Sequence, residues 1–193
     1  MTTFLTPAIL ASCLDEKIGP TWQTLSRQVA TPSLLPAAVI VPLVPRDREW
    51  DLLFIRRTQT VSHHKGQIAF PGGRAESADT TPLATALREF QEELGLDPLQ
   101  MHILGRLPPT PTLQTGYLIH PFVGLLPAPP IPRPDPAEVA GTLLIPLNVF
   151  LERVKLNPDT PHFDHQGEVV WGATARIMTQ FSVAILTRST CAS

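Results

Sequence analysis

The chain has 193 residues, a hydrophobic fraction of 43%, a charged fraction of 17% and a formal net charge of −2. This length suits one globular domain with a substantial buried core, and the near-neutral charge argues against a dedicated nucleic-acid-binding face. The two cysteines, Cys13 and Cys191, form no metal-binding spacing, and no apolar run reaches the roughly 18 residues of a membrane-spanning helix, so we expect a protein of the reducing cytoplasm that binds neither nucleic acid nor membrane.

The first part of the chain is mixed in character and then becomes strand-like. We expect residues 1–34 to form an N-terminal extension packed on the core, with a helix around Trp22 to Val29, and residues 35–193 to form the main domain. Apolar, β-branched stretches at 36–45 and 50–58 flank a polar break, which is typical of a β-hairpin. Residues 67–70 predict a third short strand, which ends at the turn Pro71-Gly72-Gly73.

The period of the apolar residues then changes to that of a helix. Four of them recur at i, i+4, i+7 and i+11, as on one side of an amphipathic helix: Leu83, Leu87, Phe90 and Leu94. Thr81 suits the N-cap, Pro82 the first turn and Gly95 a left-handed C-cap. The sequence therefore predicts a helix over 82–94.

Further strands and a terminal helix follow. Ten of the chain's 22 prolines fall within 107–136, which excludes a regular helix there. The other predicted elements are strands at 101–107, 116–126 and 141–147, a helical turn in 148–154, a hairpin at 162–172 that turns at 165–167, and a helix over 173–188. Strands before and after one helix, with another helix at the end, indicate an α+β fold in which helices flank a mixed sheet.

The predicted helix 82–94 carries three glutamates on the side away from its apolar stripe: Glu89, Glu92 and Glu93. Like charges at i,i+3 and i,i+4 each cost about 0.2 to 0.5 kcal/mol on an open helix, and such a run usually faces water. Here, however, Gly72 and Gly73 lie just before the helix and allow a backbone carbonyl to approach it. Because Mg²⁺ prefers carboxylate and carbonyl oxygens, the combination predicts a divalent-cation site.

Residues 73–96 closely resemble the Nudix box, the signature of the Nudix hydrolases. Its positions are filled by Gly73, Asp79, Arg88, Glu89, Phe90, Glu92, Glu93, Gly95 and Leu96. Two departures stand out: Asp79 replaces a Glu, and eight residues rather than seven separate it from Arg88. Glu76 is the alternative acidic residue for that position.

Residues upstream of the box narrow the resemblance. The runs LFIRR and GQIAFPGG look like the motif of the coenzyme A pyrophosphatases, and the similarity covers about residues 36–180. This implies a Nudix-like α/β/α sandwich that uses Mg²⁺ or Mn²⁺ to hydrolyse coenzyme A or its derivatives to 4'-phosphopantetheine and adenosine 3',5'-bisphosphate. The implied partner is a small nucleotide substrate of the coenzyme A type. The oligomeric state is left open, with a homodimer as one option. The alternatives are another nucleoside diphosphate substrate, such as NADH or ADP-ribose, or a catalytically silent nucleotide-binding Nudix module.

The resemblance also implies roles for residues of the box. Glu89 and Glu93 are the expected metal ligands, together with the carbonyl of Gly73. Arg88 is expected to orient the glutamates, and Glu92 to join the metal shell or to accept a hydrogen bond from Arg88. Glu138 is a loop candidate for the general base, although it also reads as an ordinary helix-start glutamate after a proline.

Basic residues near the box are expected to hold substrate phosphates: Arg57, Lys65, His64 and Arg74, with His63 in the same cluster. Strand alternation places Arg56 and Arg57 on opposite faces, and the motif favours Arg57 inside. Neither histidine is an expected magnesium ligand, because hard cations prefer oxygen. Trp171 is expected in the core rather than as a platform for an adenine ring.

Overall fold

The structure is a computed structural model, and it describes residues 5–15, 21–28, 34–58, 66–112, 115–157, 159 and 162–191. In chain order its elements are α1 (Pro7–Ser12), α2 (Trp22–Gln28), β1 (Leu35–Arg46), β2 (Glu49–Arg57), β3 (Ile68–Ala69), β4 (Gly72–Arg74), α3 (Pro82–Leu94), β5 (His102–Arg106), β6 (Thr110–Pro111), β7 (Tyr117–Leu125), β8 (Val139–Pro146), α4 (Leu147–Leu156), β9 (His162–His165), β10 (Glu168–Trp171) and α5 (Gly172–Cys191). A 3-10 turn, Pro98–Gln100, follows α3.

The main sheet is mixed, with β1 at its centre. The strand order is β3-β2-β1-β7-β5; β4 and β6 add to β1 and β7, and β8 adds to β2. The β1–β7 pair is parallel, whereas β1 pairs antiparallel with β2 and with β4. The strands β9 and β10 form a separate hairpin. Long-range pairing of β1 with β4 therefore brings the diglycine segment to the middle of the sheet.

Two apolar layers lie on opposite faces of this sheet, because the side chains of β1 alternate between them. Val39, Val41 and Leu43 belong to the layer shared with α4 and α5, in which Phe54, Phe150, Phe163 and Phe181 are buried. Ala38, Ile40 and Val44 belong to the layer under α3, with Phe90, Leu94 and Phe122. The predicted α+β sandwich is confirmed. No helix among the described residues is long and apolar enough to cross a bilayer.

The predicted elements are found with some shifts. The helix α3 spans the predicted residues, with Thr81 as its N-cap and Gly95 at φ 62° as its C-cap. The expected helical turn in 148–154 is wrong in length, because α4 runs from Leu147 to Leu156. The segment expected to be only a turn after residue 70 contains the strand β4, and α1 was not predicted. Val29, the expected end of α2, lies outside the described residues.

Candidate active site

Glu93 on α3 is buried against β4 and β2. Only 2% of its side chain is exposed. Its Oε2 accepts a hydrogen bond from the backbone N–H of Gly72 at 2.9 Å, and Arg57 Nη1 donates to its Oε1 at 3.2 Å. The expectation that all three glutamates lie away from the packed side of the helix is therefore wrong for Glu93, because β4 covers this part of α3.

Burial dominates the electrostatics of Glu93. It raises the pKa of the carboxyl to about 8, although the Gly72 N–H and the Arg57 charge act in the opposite direction. The charges of Glu89 and Glu138 raise it further, so both carboxylates lie near Glu93. Three carboxyl groups thus repel one another around the buried Glu93, and a bound cation would relieve that repulsion.

Glu89 lies directly against Gly73. A Cβ atom at Gly73 would come within 2.4 to 2.7 Å of the Glu89 carboxylate, so no side chain fits there without moving that carboxylate. Burial raises the pKa of Glu89, while Arg88, which donates to its Oε1 at 3.0 Å, acts against that rise. The glycine therefore allows the backbone of β4 and the Glu89 carboxylate to share one corner of the site.

Arg88 is held in a fixed orientation by Asp79. The guanidinium donates from Nε to Asp79 Oδ1 at 3.1 Å and from Nη2 to Oδ2 at 3.0 Å. Burial alone would raise the pKa of Asp79, but hydrogen bonds from Arg88, from the backbone N–H of Glu76 and from Thr85 hold it below its usual range. Despite the altered spacing, Asp79 is the acidic partner of Arg88, and Glu76 Oε1 is 4.0 Å from Arg88 Nη1.

The other end of the same guanidinium reaches the glutamates of α3. Nη1 donates to Glu89 at 3.0 Å and to Glu92 Oε2 at 2.7 Å, and Nη2 also donates to the carbonyl of Arg74. Glu92 is 57% exposed, whereas Glu93 is buried. The three glutamates of α3 therefore have different surroundings: Glu93 is buried, and of the two that pair with Arg88, Glu89 is largely covered and Glu92 is exposed to water.

Glu89 and Glu93 border a cavity of about 510 Å³. Its lining residues are Ala37, Val39, Arg57, Gln67, Ala69, Phe70, Gly72, Gly73, Arg74, Glu89, Glu93, Thr112, Thr115, Tyr117, Ile119, Glu138, Trp171, Gly172, Ala173, Thr174, Arg176 and Ile177. The cavity thus runs from the carboxylates of α3 along β1 and β7 to the start of α5. Its volume falls within the range of about 300 to 1,000 Å³ that is usual for small-molecule sites.

Glu138 reaches this cavity from a loop that is docked on the end of β2. The backbone N–H of Thr58 donates to the Glu138 carbonyl at 2.9 Å, and the Thr58 hydroxyl donates to the Ala137 carbonyl at 3.1 Å. The Glu138 side chain is exposed and lines the cavity together with Glu89 and Glu93. The loop therefore supplies a third carboxylate that α3 could not provide by itself.

The donor set fits a hard divalent cation. In the part of the chain that the structure describes, no three His, Cys, Asp or Glu side chains already surround one point as metal ligands. Mg²⁺, however, is usually bound by one or two carboxylates, with waters and substrate phosphates completing its shell. Glu89, Glu93 and the backbone beside Gly73 match that requirement, since both carboxylates border one cavity and Glu89 lies against Gly73. A cation there would offset the burial that raises the pKa of both carboxyl groups.

The predicted phosphate-binding residues are only partly described. Arg57 and Arg74 both line the cavity, and Arg57 also pairs with Glu93. Arg56 pairs instead with Glu168 of β10, at 2.5 Å, so the two neighbouring arginines do face different partners. His63, His64 and Lys65 lie outside the described residues.

The environment of Trp171 and the hydrogen bond of Thr85 differ from what the sequence predicts. Trp171, expected in the core, is 48% exposed and borders the cavity, because it ends the short hairpin strand β10. No motif position predicts a role for Thr85, yet its buried hydroxyl donates to Asp79 Oδ2 at 2.9 Å. The available signal was a threonine one turn after the N-cap Thr81, on the side of α3 that also carries Arg88 and Glu89.

Comparison with known proteins relates the chain to one family. A family model of the NUDIX domain matches residues 34–166. The chain is 36% identical over 156 residues to the uncharacterized Nudix hydrolase NudL of Photorhabdus laumondii, covering 76% of this chain and 82% of that protein. It is 36% identical over 177 residues to the uncharacterized Nudix hydrolase NudL of Cronobacter sakazakii, covering 85% and 91% of the two chains.

Solved structures share the fold at lower sequence identity. The crystal structure of a C. elegans Ap4A hydrolase binary complex matches with a TM-score of 0.56 and 14% identity, covering 80% of this chain and 99% of that chain. At this identity the likeness concerns the fold alone.

Proposed function

The chain belongs to the Nudix hydrolase family, and we propose that it hydrolyses the pyrophosphate bond of coenzyme A or one of its derivatives. The products would be 4'-phosphopantetheine and adenosine 3',5'-bisphosphate. Nudix hydrolases generally use divalent metal ions, and we propose Mg²⁺ or Mn²⁺ for this one. A cytoplasmic location stays a prediction from the two cysteines.

The cavity is the observation that carries this proposal. The cavity is lined by three acidic residues, Glu89, Glu93 and Glu138, and by the two arginines Arg57 and Arg74. Acidic ligands for a cation and basic groups for phosphate oxygens are what a bound pyrophosphate requires. The chemistry of the lining therefore supports cleavage of a phosphoric anhydride.

The upstream motif supports the choice of substrate within the family. Five residues of GQIAFPGG line the same cavity as the box glutamates: Gln67, Ala69, Phe70, Gly72 and Gly73. The stretch that resembles the coenzyme A pyrophosphatases is thus in position to contact a substrate held beside the glutamates. This supports coenzyme A over NADH and ADP-ribose as the first substrate to test.

The proposed mechanism gives each side chain one task. Glu89 and Glu93, with the Gly73 carbonyl, would hold the divalent ion, which neutralises phosphate charge and lowers the pKa of water. Glu138 would accept the proton of the water that attacks phosphorus, while the bridging P–O bond breaks and the leaving phosphate keeps the electron pair. Arg57 and Arg74 would hold phosphate oxygens, and Arg88 would keep Glu89 and Glu92 oriented.

Turnover of defined substrates tests this proposal. The purified protein with Mg²⁺ is assayed against coenzyme A, NADH and ADP-ribose, and the products are separated by chromatography. We expect coenzyme A to give the largest kcat/KM and the two products named above, and Glu93→Gln to lose most of that activity. Preferred cleavage of NADH or ADP-ribose would show that coenzyme A is not the substrate of this enzyme. Turnover of none of the three would indicate a silent nucleotide-binding module.

A further inference from the structure

The helix α2 is hydrogen-bonded to the start of α3 through Trp22. Its indole Nε1–H donates to the Thr85 hydroxyl at 3.1 Å, and its backbone N–H donates to the carbonyl of Thr80 at 3.2 Å. Trp22 and Thr85 are 63 positions apart in the sequence, so their contact is tertiary. A residue outside the box-bearing segment therefore contacts the helix that carries the candidate metal ligands.

Thr85 transmits this contact to the Arg88 guanidinium. Its hydroxyl donates to Asp79 Oδ2 at 2.9 Å, and Asp79 in turn accepts two hydrogen bonds from Arg88. Arg88 then donates to Glu89. A continuous chain of hydrogen bonds thus leads from the Trp22 indole to a candidate metal ligand.

The middle of this chain is closed to water, which makes its orientation depend on protein partners. The Thr85 residue is fully buried, and the Asp79 side chain is 6% exposed. A hydroxyl has a single proton, and of the two acceptors near the Thr85 hydroxyl the Asp79 Oδ2, at 2.9 Å, is closer than the Thr81 carbonyl, at 3.4 Å, while the lone pair accepts from Trp22. Without the indole N–H, no water can readily replace that donor.

Packing fixes the indole ring itself. Trp22 lies with its ring centroid 5.1 Å from that of His120, in an edge arrangement at 88°, and packs on the apolar layer under α3. His120 is a buried residue of β7, the strand parallel to β1. The ring is therefore held by contacts that do not depend on its N–H group.

We propose that Trp22 is a positioning residue for the candidate metal site, acting through Thr85 and Asp79 on the orientation of Arg88. This inference rests on the proposed function only in using the same metal site. Partners one shell beyond metal ligands typically change metal affinity by about 10- to 100-fold, and Trp22 is more distant. We therefore expect its N–H to contribute about threefold to tenfold in Mn²⁺ affinity, within the worth of one hydrogen bond.

Paired tryptophan substitutions test the proposal. Trp22→Phe retains an aromatic ring against His120 and removes the N–H. Trp50→Phe is the matched control, because Trp50 Nε1 also links the core to the N-terminal segment, by donating to the Leu5 carbonyl 2.6 Å away, but takes no part in the chain of hydrogen bonds that reaches Arg88. The readouts are the Mn²⁺ dissociation constant from electron paramagnetic resonance of free Mn²⁺, and the NMR signal of the Arg88 Nε–H, assigned through Arg88→Lys.

We expect Trp22→Phe to weaken Mn²⁺ binding about threefold to tenfold and to shift or broaden the Arg88 signal, with Trp50→Phe matching the parent in both. Thr85→Val should reproduce the effect of Trp22→Phe, Thr85→Ser should restore parental behaviour, and the double variant Trp22→Phe with Thr85→Val should be no worse than Thr85→Val. The Thr85 pair keeps the test decisive should Trp22→Phe fail to fold.

Parental Mn²⁺ affinity and a parental Arg88 signal in Trp22→Phe, or in Thr85→Val, would overturn the proposal. Equal losses in Trp22→Phe and Trp50→Phe would also overturn it, because they would reflect a general loosening of the N-terminal segment. Absence of coenzyme A turnover by the parent would contradict the proposed function alone, since neither readout uses a substrate.

Discussion

Burial and charge act in opposite directions on the carboxylate of Glu93. Arg57 and the Gly72 N–H favour its ionised form, yet burial raises the pKa to about 8 from an ordinary value of 4.5. In the metal-free protein the folded state thus holds a proton that the unfolded chain releases. Stability is expected to fall as pH rises from about 4.5 to about 8, and a bound cation reverses this cost.

Metal affinity is accordingly expected to depend on pH. Below pH 8 a cation must displace the Glu93 proton, so Mn²⁺ affinity should rise by up to about tenfold per pH unit and level off above the raised pKa of about 8. Dissociation constants at pH 6, 7, 8 and 8.5 give this slope. Glu93→Gln should bind more weakly and with a shallower slope, and a parent whose affinity is flat from pH 6 to 8 would contradict the expectation.

Gly73→Ala is expected to disturb the candidate metal site without unfolding the protein. The added Cβ meets the Glu89 carboxylate, which is the end of a flexible side chain, so we expect the protein to fold and Glu89 to be displaced. Mn²⁺ affinity should fall by about tenfold or more. Gly141→Ala is the control, because a Cβ there meets nothing within 4 Å. Parental Mn²⁺ affinity in Gly73→Ala would mean that Glu89 does not need its observed position.

The helix α3 illustrates which elements local signals predict. Its cap residues, first-turn proline and apolar period all lie within the element, and its bounds were predicted correctly. The strand β4 has no such signal, because it exists through pairing with β1, more than thirty residues earlier, at Ala37, Ala38 and Val39. The burial of Glu93 follows from that pairing, so a helical projection alone could not predict it.

Capping of α3 should be measurable as stability. Thr81 Oγ1 accepts a hydrogen bond from the N–H of Ala84 at 3.1 Å. We expect Thr81→Ala to lower the free energy of unfolding by about 1 kcal/mol, and Thr81→Ser to recover most of it. Urea denaturation of the metal-free protein measures both. Equal stability of the parent and Thr81→Ala would show that the cap hydrogen bond does not stabilise α3.

The N-terminal segment contributes to the same core as the sheet. Leu10 is fully buried in the layer that contains α4 and α5, and the Asp15 N–H donates to the carbonyl of Arg106 at 3.0 Å. The division into an extension of residues 1–34 and a domain of 35–193 stays a prediction. The contacts of Leu10 and Asp15 nevertheless indicate that residues before β1 help to stabilise the folded chain.

Leu10→Ala should therefore be costly. Removal of a fully buried leucine side chain typically costs about 2 to 5 kcal/mol, through lost apolar burial and the cavity that remains. Leu99→Ala serves as the control, because Leu99 is 92% exposed. Urea denaturation should separate the two variants clearly; a Leu10→Ala protein as stable as Leu99→Ala would show that α1 adds little to the core.

The site as a whole was predictable only in part. The box motif singles out Glu89 and Glu93 as candidate metal ligands, because the motif lies within one short segment of the sequence. Convergence with Glu138, the exposure of Trp171 and the link from Trp22 each require a tertiary contact between distant segments. No local period encodes such contacts.

Crystals of the protein soaked in Mn²⁺ give the most direct test of the central claim, that the glutamates of α3 and the diglycine strand bind a divalent ion. An anomalous difference map locates manganese without reference to substrate or turnover. We predict a peak bordered by Glu89, Glu93 and the carbonyl of Gly73, absent from crystals of Glu93→Gln. No peak at that position, with both carboxylates fully ordered in the parent, would contradict it.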